Sequence, residues 1–328
     1  MGRNVVVLCD GTGNQYGLQY RNTNVVRLRT LIVEDPDRQV AYYNAGVGTM
    51  APADRHSGAG RVSAIVAGLA FGYGFTENVE DAYRFLMQSW RGPEDDVYLF
   101  GFSRGAYTVR ALAGMLHAVG LLPPGQENLI RYATRLYRSR DTSVAAQFFR
   151  TFSRNCRVRF VGVWDTVAAL GVVPGFRREF PDTLLNPDIG IGRQALSIDE
   201  KRAAFLPSLW SARYPGQDIR QVWFAGVHSD VGGGYPERDL ANAPLNWMID
   251  DAVGAGLLLD VTDVRRYYPD EPLGLIHESL TTTWKLAGKA IRAIPDEALV
   301  HWTVRERIAA DIGYAPANLP GAFTYVDR

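Results

Sequence analysis

Lysine is almost missing from this chain: only Lys201, Lys285 and Lys289 stand among its 35 cationic residues. Positive charge is carried by arginine, a bias that reads as base composition of the source genome. No excess of either sign exists. Thirty-five cationic and 35 anionic side chains give a formal net charge of zero, which removes the basic footprint expected of a nucleic-acid binder. Cysteine is scarce as well. Cys9 and Cys156 are the two present, with no second Cys or His at metal-ligand spacing, so they read as small buried hydrophobes and neither a disulfide framework nor a metal site is expected. Long hydrophobic runs are absent too. The apolar run of "MGRNVVVLCDG" is too short for a signal-peptide core, and no window reaches the 18 or so apolar residues of a membrane span. The expectation is a cytoplasmic protein, or one exported without a cleavable signal peptide.

What is present is an ordinary globular composition, 47% hydrophobic over 328 residues. Runs rich in β-branched and aromatic residues recur at 4–9, 39–45, 96–102, 157–164 and 219–227. They are apolar on both faces, as strands covered by helices on both sides are. Helical patterns alternate with them. "NTNVVRLRTLIVED" follows an Asn/Thr cap, and in "TENVEDAYRFLMQSW" positions 79, 82, 83, 86, 87 and 90 form one apolar stripe. Alternating β and α segments predict an α/β fold, a mostly parallel sheet between helical layers. The stretches 118–156 and 166–218 exceed a simple crossover and read as cap-like insertions in a single domain covering 1–328.

The segment "DVYLFGFSRGAYTVRAL" carries the chemistry. Gly101-Phe102-Ser103-Arg104-Gly105 fits the G-x-S-x-G nucleophile elbow, in which a sharp strand-to-helix turn exposes a serine and needs glycine on either side. The alternative is a glycine-framed turn whose serine caps the helix. A nucleophilic serine needs a base, and the base an orienting acid. On such a fold the chain order is serine, acid, histidine. Asp165 closes the strand "RFVGVWDTV" at the edge where catalytic groups gather. His228 in "FAGVHSDVGGGY" sits at the next strand end and is placed first as the base, with His277 and His301 open. Asp230 is a second candidate for the acid. The oxyanion would be held by the amide of Arg104 and one from the "CDGTGN" loop, Gly11 or Thr12.

Five blocks, "VVVLCDGTGN", "GFSRGA", "VGVWDTV", "LSIDEKRAAFLPSLW" and "FAGVHSDVGGGY", occur in this order. Together they resemble the DUF2235 α/β-hydrolase domain, the catalytic part of Tle1-class type VI secretion phospholipase effectors. The late "VHWTVRERI…YAPANLP" resembles that family's C-terminal portion. The resemblance implies an α/β-hydrolase fold, a Ser-Asp-His triad that carries onto Ser103, Asp165 and His228, and hydrolysis of ester or phospholipid substrates. It implies no cofactor, and a secretion-system or immunity partner. Two departures stand out. Gln194 occupies a position where the family commonly has histidine, so it cannot supply the base, and the long membrane-targeting extension of the secreted effectors is not seen.

Two rival readings of "VVVLCDGTGN" fall short. A phosphatase built on Asp10 wants a second aspartate two residues away, and a dinucleotide fingerprint wants a third glycine. A hydrolase-fold protein that only binds or scaffolds is the rival from another class.

Overall fold

The computed structural model describes residues 2–11, 21–46, 72–167, 185–210, 214–286, 288–310 and 313–327. Eight strands pair in parallel throughout: β1 (Asn4–Cys9), β2 (Gln39–Asn44), β3 (Asp96–Phe102), β4 (Val158–Trp164), β5 (Ile189–Ser197), β6 (Asp218–Phe224), β7 (Ala298–His301) and β8 (Phe323–Val326). Their order is β2-β1-β3-β4-β5-β6-β7-β8. The chain leaves β1 toward one edge to make β2, then returns to the other side for β3. The β1/β3 boundary is therefore where the winding reverses, and the crevice at the carboxyl ends of such strands is the usual ligand site of open α/β sheets.

Alternation along each strand sends neighbouring side chains to opposite layers. Val5, Val7, Cys9, Val97 and Leu99 pack with helices α2 (Gly72–Ser89), α3 (Arg104–Val119), α4 (Ile130–Ser139) and α5 (Thr142–Phe152). Val6, Leu8, Tyr98, Phe100 and Phe102 face the opposite layer, where α1 (Asn24–Leu31), short α6 (His228–Gly232) and α7 (Asp239–Gly254) lie. Two single turns, α8 (Val264–Tyr267) and α9 (Thr282–Leu286), follow, and α10 (Trp302–Ala309) covers the β7–β8 edge through Val304. The Thr23 side chain accepts from the Val26 amide and so caps α1, as its sequence suggests. The stripe at 79, 82, 83, 86, 87 and 90 is buried at every position.

The α/β-hydrolase expectation holds: a parallel sheet covered on both faces. The insertion expected at 118–156 folds as α4 and α5, whose buried Ile130, Leu136, Tyr137 and Phe148 join the α2–α3 layer. The stretch 166–218, expected as an insertion, contains strand β5. Its sequence "IGIGRQALS" hides the strand because Arg193 and Gln194 interrupt the apolar run. Both are buried with partners elsewhere in the chain: Arg193 bonds Asp218 and Asp251, and Gln194 donates to the Ser208 carbonyl. Residues 168–184, also part of that stretch, lie outside the described residues. Among the described residues no helix is long and apolar enough to cross a membrane.

Candidate active site

Ser103 sits between β3 and α3 with φ 57° and ψ −117°. A positive φ is uncommon for a residue with a side chain and is held only where the surroundings over-determine it. Two glycines allow it here. A Cβ on Gly101 would lie 2.5 Å from the Gly105 carbonyl oxygen, and one on Gly105 only 2.0 Å from that of Cys9. The turn thus exists because backbone passes against backbone at both glycine positions. Ser103 makes no side-chain capping hydrogen bond to α3, so its hydroxyl is not the helix cap that the alternative reading required.

Asp165 follows β4, one strand over, and is also left-handed, with φ 42°. Its amide donates to the Ala195 carbonyl of β5 at 2.8 Å. This aims the carboxylate along the sheet edge, where Oδ2 lies 2.6 Å from Nδ1 of His228. The Ser197 amide donates to Oδ1 at 2.9 Å and its hydroxyl to Oδ2 at 3.3 Å.

The sequence puts His228 at the end of the strand after Asp165's. The structure corrects this in two ways. Strand β5 intervenes, and β6 ends at Phe224, so His228 opens the short helix α6 instead. The break comes at Gly226, where φ is +106° and the backbone packs against Asp230. The Gly226 amide donates to Asp199, the Val227 amide to Asp230 and the His228 amide to Glu200. The imidazole is clasped by the ring of Phe102, 4.6 Å away, and by the edge of Phe205 at 4.9 Å. Phe102 immediately precedes Ser103, so the histidine ring is packed on the elbow itself. Gly232 is glycine because a Cβ would fall 1.9 Å from the Phe102 ring.

One residue of the cluster is not foreseeable from sequence. Arg292, from the irregular stretch after α9, is 1% exposed. Its Nη1 and Nη2 donate to Oδ1 and Oδ2 of Asp165 at 2.6 and 2.8 Å. The same two nitrogens donate to the carbonyls of Ser197 and Phe205. Burial alone would raise the Asp165 carboxyl; the Arg292 charge and the His228 bond outweigh it and hold the group far below the ordinary carboxylate range. For His228 the balance is reversed: burial keeps the imidazole below its ordinary value although Asp165 pulls it up. Glu200, buried beside it, would likewise be raised by burial, but Arg202 donates to both its oxygens and brings it down to about 2.

The other histidines are placed elsewhere. His277 pairs with Asp230 through Nδ1 at 2.6 Å and with Glu237 through Nε2 at 3.2 Å. Both its ring nitrogens are taken by carboxylates, and its ring stacks on Tyr235. Asp230 also accepts from the Val227 and His277 amides, so it serves the turn below His228. His301 is buried, bonds Thr303 Oγ1 and stacks on Phe224. Gln194, the departure in β5, points to Ser208.

Arg104 is the first residue of α3, so its amide is among the four that a helix does not bond internally. The Gly11 amide donates to Asp10 Oδ1 at 2.8 Å and in this conformation is committed to its own loop. Thr12 lies outside the described residues. Asp10 also accepts from Thr23 and Tyr43, bonds that make it a tie between β1, β2 and α1.

Residues 3–251 match the catalytic domain of the Tle1-like phospholipase effectors of type VI secretion. The chain belongs to this family. Ser103, Asp165 and His228 fall inside the matched span of the Tle1-like domain, and Arg292 falls outside it. An uncharacterized protein of Saccharomyces cerevisiae is 31% identical over 242 residues, which are 65% of this chain and 35% of that protein. Among solved structures, an uncharacterized protein from Pseudomonas aeruginosa is similar at 22% identity and TM-score 0.46, over 80% of this chain and 47% of the other. The Tle1 effector bound to the VgrG spike from the type 6 secretion system is similar at 16% identity and TM-score 0.47, over 87% and 78%. Thermogutta terrifontis esterase 2, phosphonylated by cyclosarin, is similar at 13% and 0.40, over 78% and 84%. The chain spans about a third of the yeast relative and about half of the Pseudomonas protein.

Proposed function

We propose that this Tle1-like domain is a serine hydrolase that cleaves carboxylic esters of lipids or phospholipids through an acyl-enzyme. The observation that carries the reading is the Asp165–His228 bond, packed through Phe102 against a serine in an elbow that no glycine-free sequence could form. In this reading Nε2 of His228 takes the Ser103 proton as Oγ attacks the ester carbonyl carbon. The carbonyl oxygen becomes an oxyanion, held by the Arg104 amide and a second donor that we assign to the 9–14 loop at Thr12. The alcohol leaves with the proton from His228. Water, deprotonated by the same nitrogen, then releases the acid and restores Ser103. Asp165 holds Nδ1–H toward itself throughout, and Arg292 acts as a positioning residue by fixing both carboxylate oxygens. The residues need no metal or organic cofactor for this sequence of steps.

The family's character as type VI secretion phospholipase effectors supports a lipid ester over a peptide, and it leads us to propose a secretion-system partner with a cognate immunity protein. Assaying purified full chain on p-nitrophenyl butyrate, phospholipid vesicles and a casein substrate tests the reaction class. Ester and phospholipid turnover without proteolysis supports the reading; proteolysis with no ester cleavage contradicts it.

A further inference from the structure

Lys201 and the later pair Lys285 and Lys289 stand on segments that adjoin in the fold. Residues 201–203 run antiparallel to 288–290, and a 3-10 turn, Ala203–Phe205, follows the first segment. Arg202 bridges Lys289, the Ala203 amide donates to the Gly288 carbonyl, and the Ala290 amide donates to that of Lys201. Helix α9 rests on this pair through Trp284, which packs edge-on against Phe205, while Arg202 covers both rings. Lys201, Lys285 and Lys289 are all exposed on this lip. Beside them stand two of the more exposed large apolar side chains, Leu206 at 50% and Ile291 at 66%. Neither 201–206 nor 282–292 contains an acidic residue. An exposed acid, Glu278, lies 3.8 Å from Lys201. The lip's underside is the site: Phe205 touches His228, and its carbonyl accepts from Arg292.

We infer that this lip is a docking surface for an anionic lipid bilayer and that it seats the bilayer at the edge of the Ser103 site. Charge complementarity decides the occupant. Three exposed ammonium groups and two exposed aliphatic side chains on these adjoining segments match a surface with phosphates outside and hydrocarbon beneath. An acidic protein would satisfy the lysines and leave Leu206 and Ile291 unused. The inference takes from the lipid-ester reading only the reason for bringing a bilayer to this edge; adsorption does not depend on turnover.

The test is co-sedimentation of the full chain, as Ser103→Ala, with vesicles of phosphatidylcholine alone or mixed with phosphatidylglycerol. Binding should require phosphatidylglycerol and weaken with salt. Replacing all three lysines by Gln should lower it on the order of 100-fold, at about fivefold per lysine near an anionic surface. Replacing them by Arg should preserve it, and Leu206→Ser with Ile291→Ser should weaken it while leaving the salt dependence. Equal binding by the Gln variant, or no binding of either vesicle by the parent chain, overturns the inference. Hydrolysis of p-nitrophenyl butyrate by chains with Ser103 intact is measured in parallel. A chain that binds vesicles through the lysines yet cleaves no ester sinks the hydrolase reading and supports the docking surface.

Discussion

The guanidinium of Arg292 meets the carboxylate of Asp165 face to face, two nitrogens on two oxygens at 2.6 and 2.8 Å, with both side chains almost wholly out of solvent. The carboxylate that bonds His228 is thus shared with a guanidinium supplied 127 residues later in the chain. This ties the C-terminal part of the protein directly to the candidate catalytic dyad.

Removing that cation has a signed consequence. Arg292→Gln leaves a buried carboxylate without its counter-charge, a change costing about 3–5 kcal/mol. The Asp165 carboxyl rises, because burial is no longer outweighed by Arg292. His228 rises with it, since an unneutralised Asp165 favours the imidazolium. With His228 as the base, wild-type activity would need its neutral form, so it should be present above the histidine pKa and lost as pH falls through it. That pKa is held below the ordinary 6.5 by burial. The acid limb of kcat/KM should therefore lie below pH 6.5 in the wild type and move upward in Arg292→Gln. Arg292→Lys, which keeps the charge, should restore most of the limb's position. A lowered Tm with an unmoved acid limb in Arg292→Gln would reduce Arg292 to a structural residue. The charged groups that set the limb are Asp165, Arg292, Glu200 and Arg202.

The two histidine–aspartate pairs make opposite predictions. His228→Ala should lower ester turnover by roughly 10⁴-fold or more, as loss of a triad base does. His277→Ala should cost mainly stability, because both its nitrogens already bond carboxylates. Steady-state rates on a p-nitrophenyl ester separate the two. A crippled His277→Ala beside an active His228→Ala would reassign the base.

Asp165→Asn tests the acid. The amide can present its NH₂ to the histidine and favour the wrong tautomer, which costs about 10⁴ in kcat in a comparable triad. Asp230→Asn should instead loosen the 226–230 turn, whose Val227 amide it accepts, and shift Tm more than kcat.

The elbow predicts a folding defect at one position. Gly105→Ala would place a methyl 2.0 Å from the Cys9 carbonyl oxygen and 2.6 Å from that of Asp10. Neither is the movable end of a side chain, so the cost should exceed the 1–3 kcal/mol of ordinary overpacking. Denaturant unfolding of the variant reads this directly; a loss under about 1 kcal/mol would mean that β1 and α3 separate more easily than their packing indicates.

How far the sequence reveals these features depends on whether a signal is local. Strands β1 and β3 and the α2 stripe are legible because their apolar pattern is uninterrupted, and the elbow because its glycines answer to a clash within a few residues. Asp165 and His228 are legible through their places near strand ends. Strand β5 is masked by Arg193 and Gln194, whose partners Asp218, Asp251 and Ser208 lie elsewhere in the chain. Four-residue β7 and β8 are too short to show a period. Arg292 has no local signature at all: nothing in "GKAIRAIP" marks it until the fold brings it against Asp165. The blocks "LSIDE" and "YAPANLP" gain a physical role only in three dimensions. Asp199 accepts from Gly226 and Tyr314, and Asn318 donates to the carbonyls of Ile198 and Arg292.

The central claim is that Ser103 is a nucleophile activated by His228, and covalent labelling tests it most directly. Folded wild-type chain is treated with a fluorophosphonate probe and analysed by intact mass and peptide mapping, beside Ser103→Ala and His228→Ala. The account predicts one adduct per chain on Ser103, none on Ser103→Ala, and labelling slowed by orders of magnitude in His228→Ala. Ester turnover in Ser103→Ala should fall by roughly 10⁴- to 10⁶-fold. A wild-type chain that stays unlabelled, or a Ser103→Ala variant that keeps a tenth or so of the activity, would contradict it.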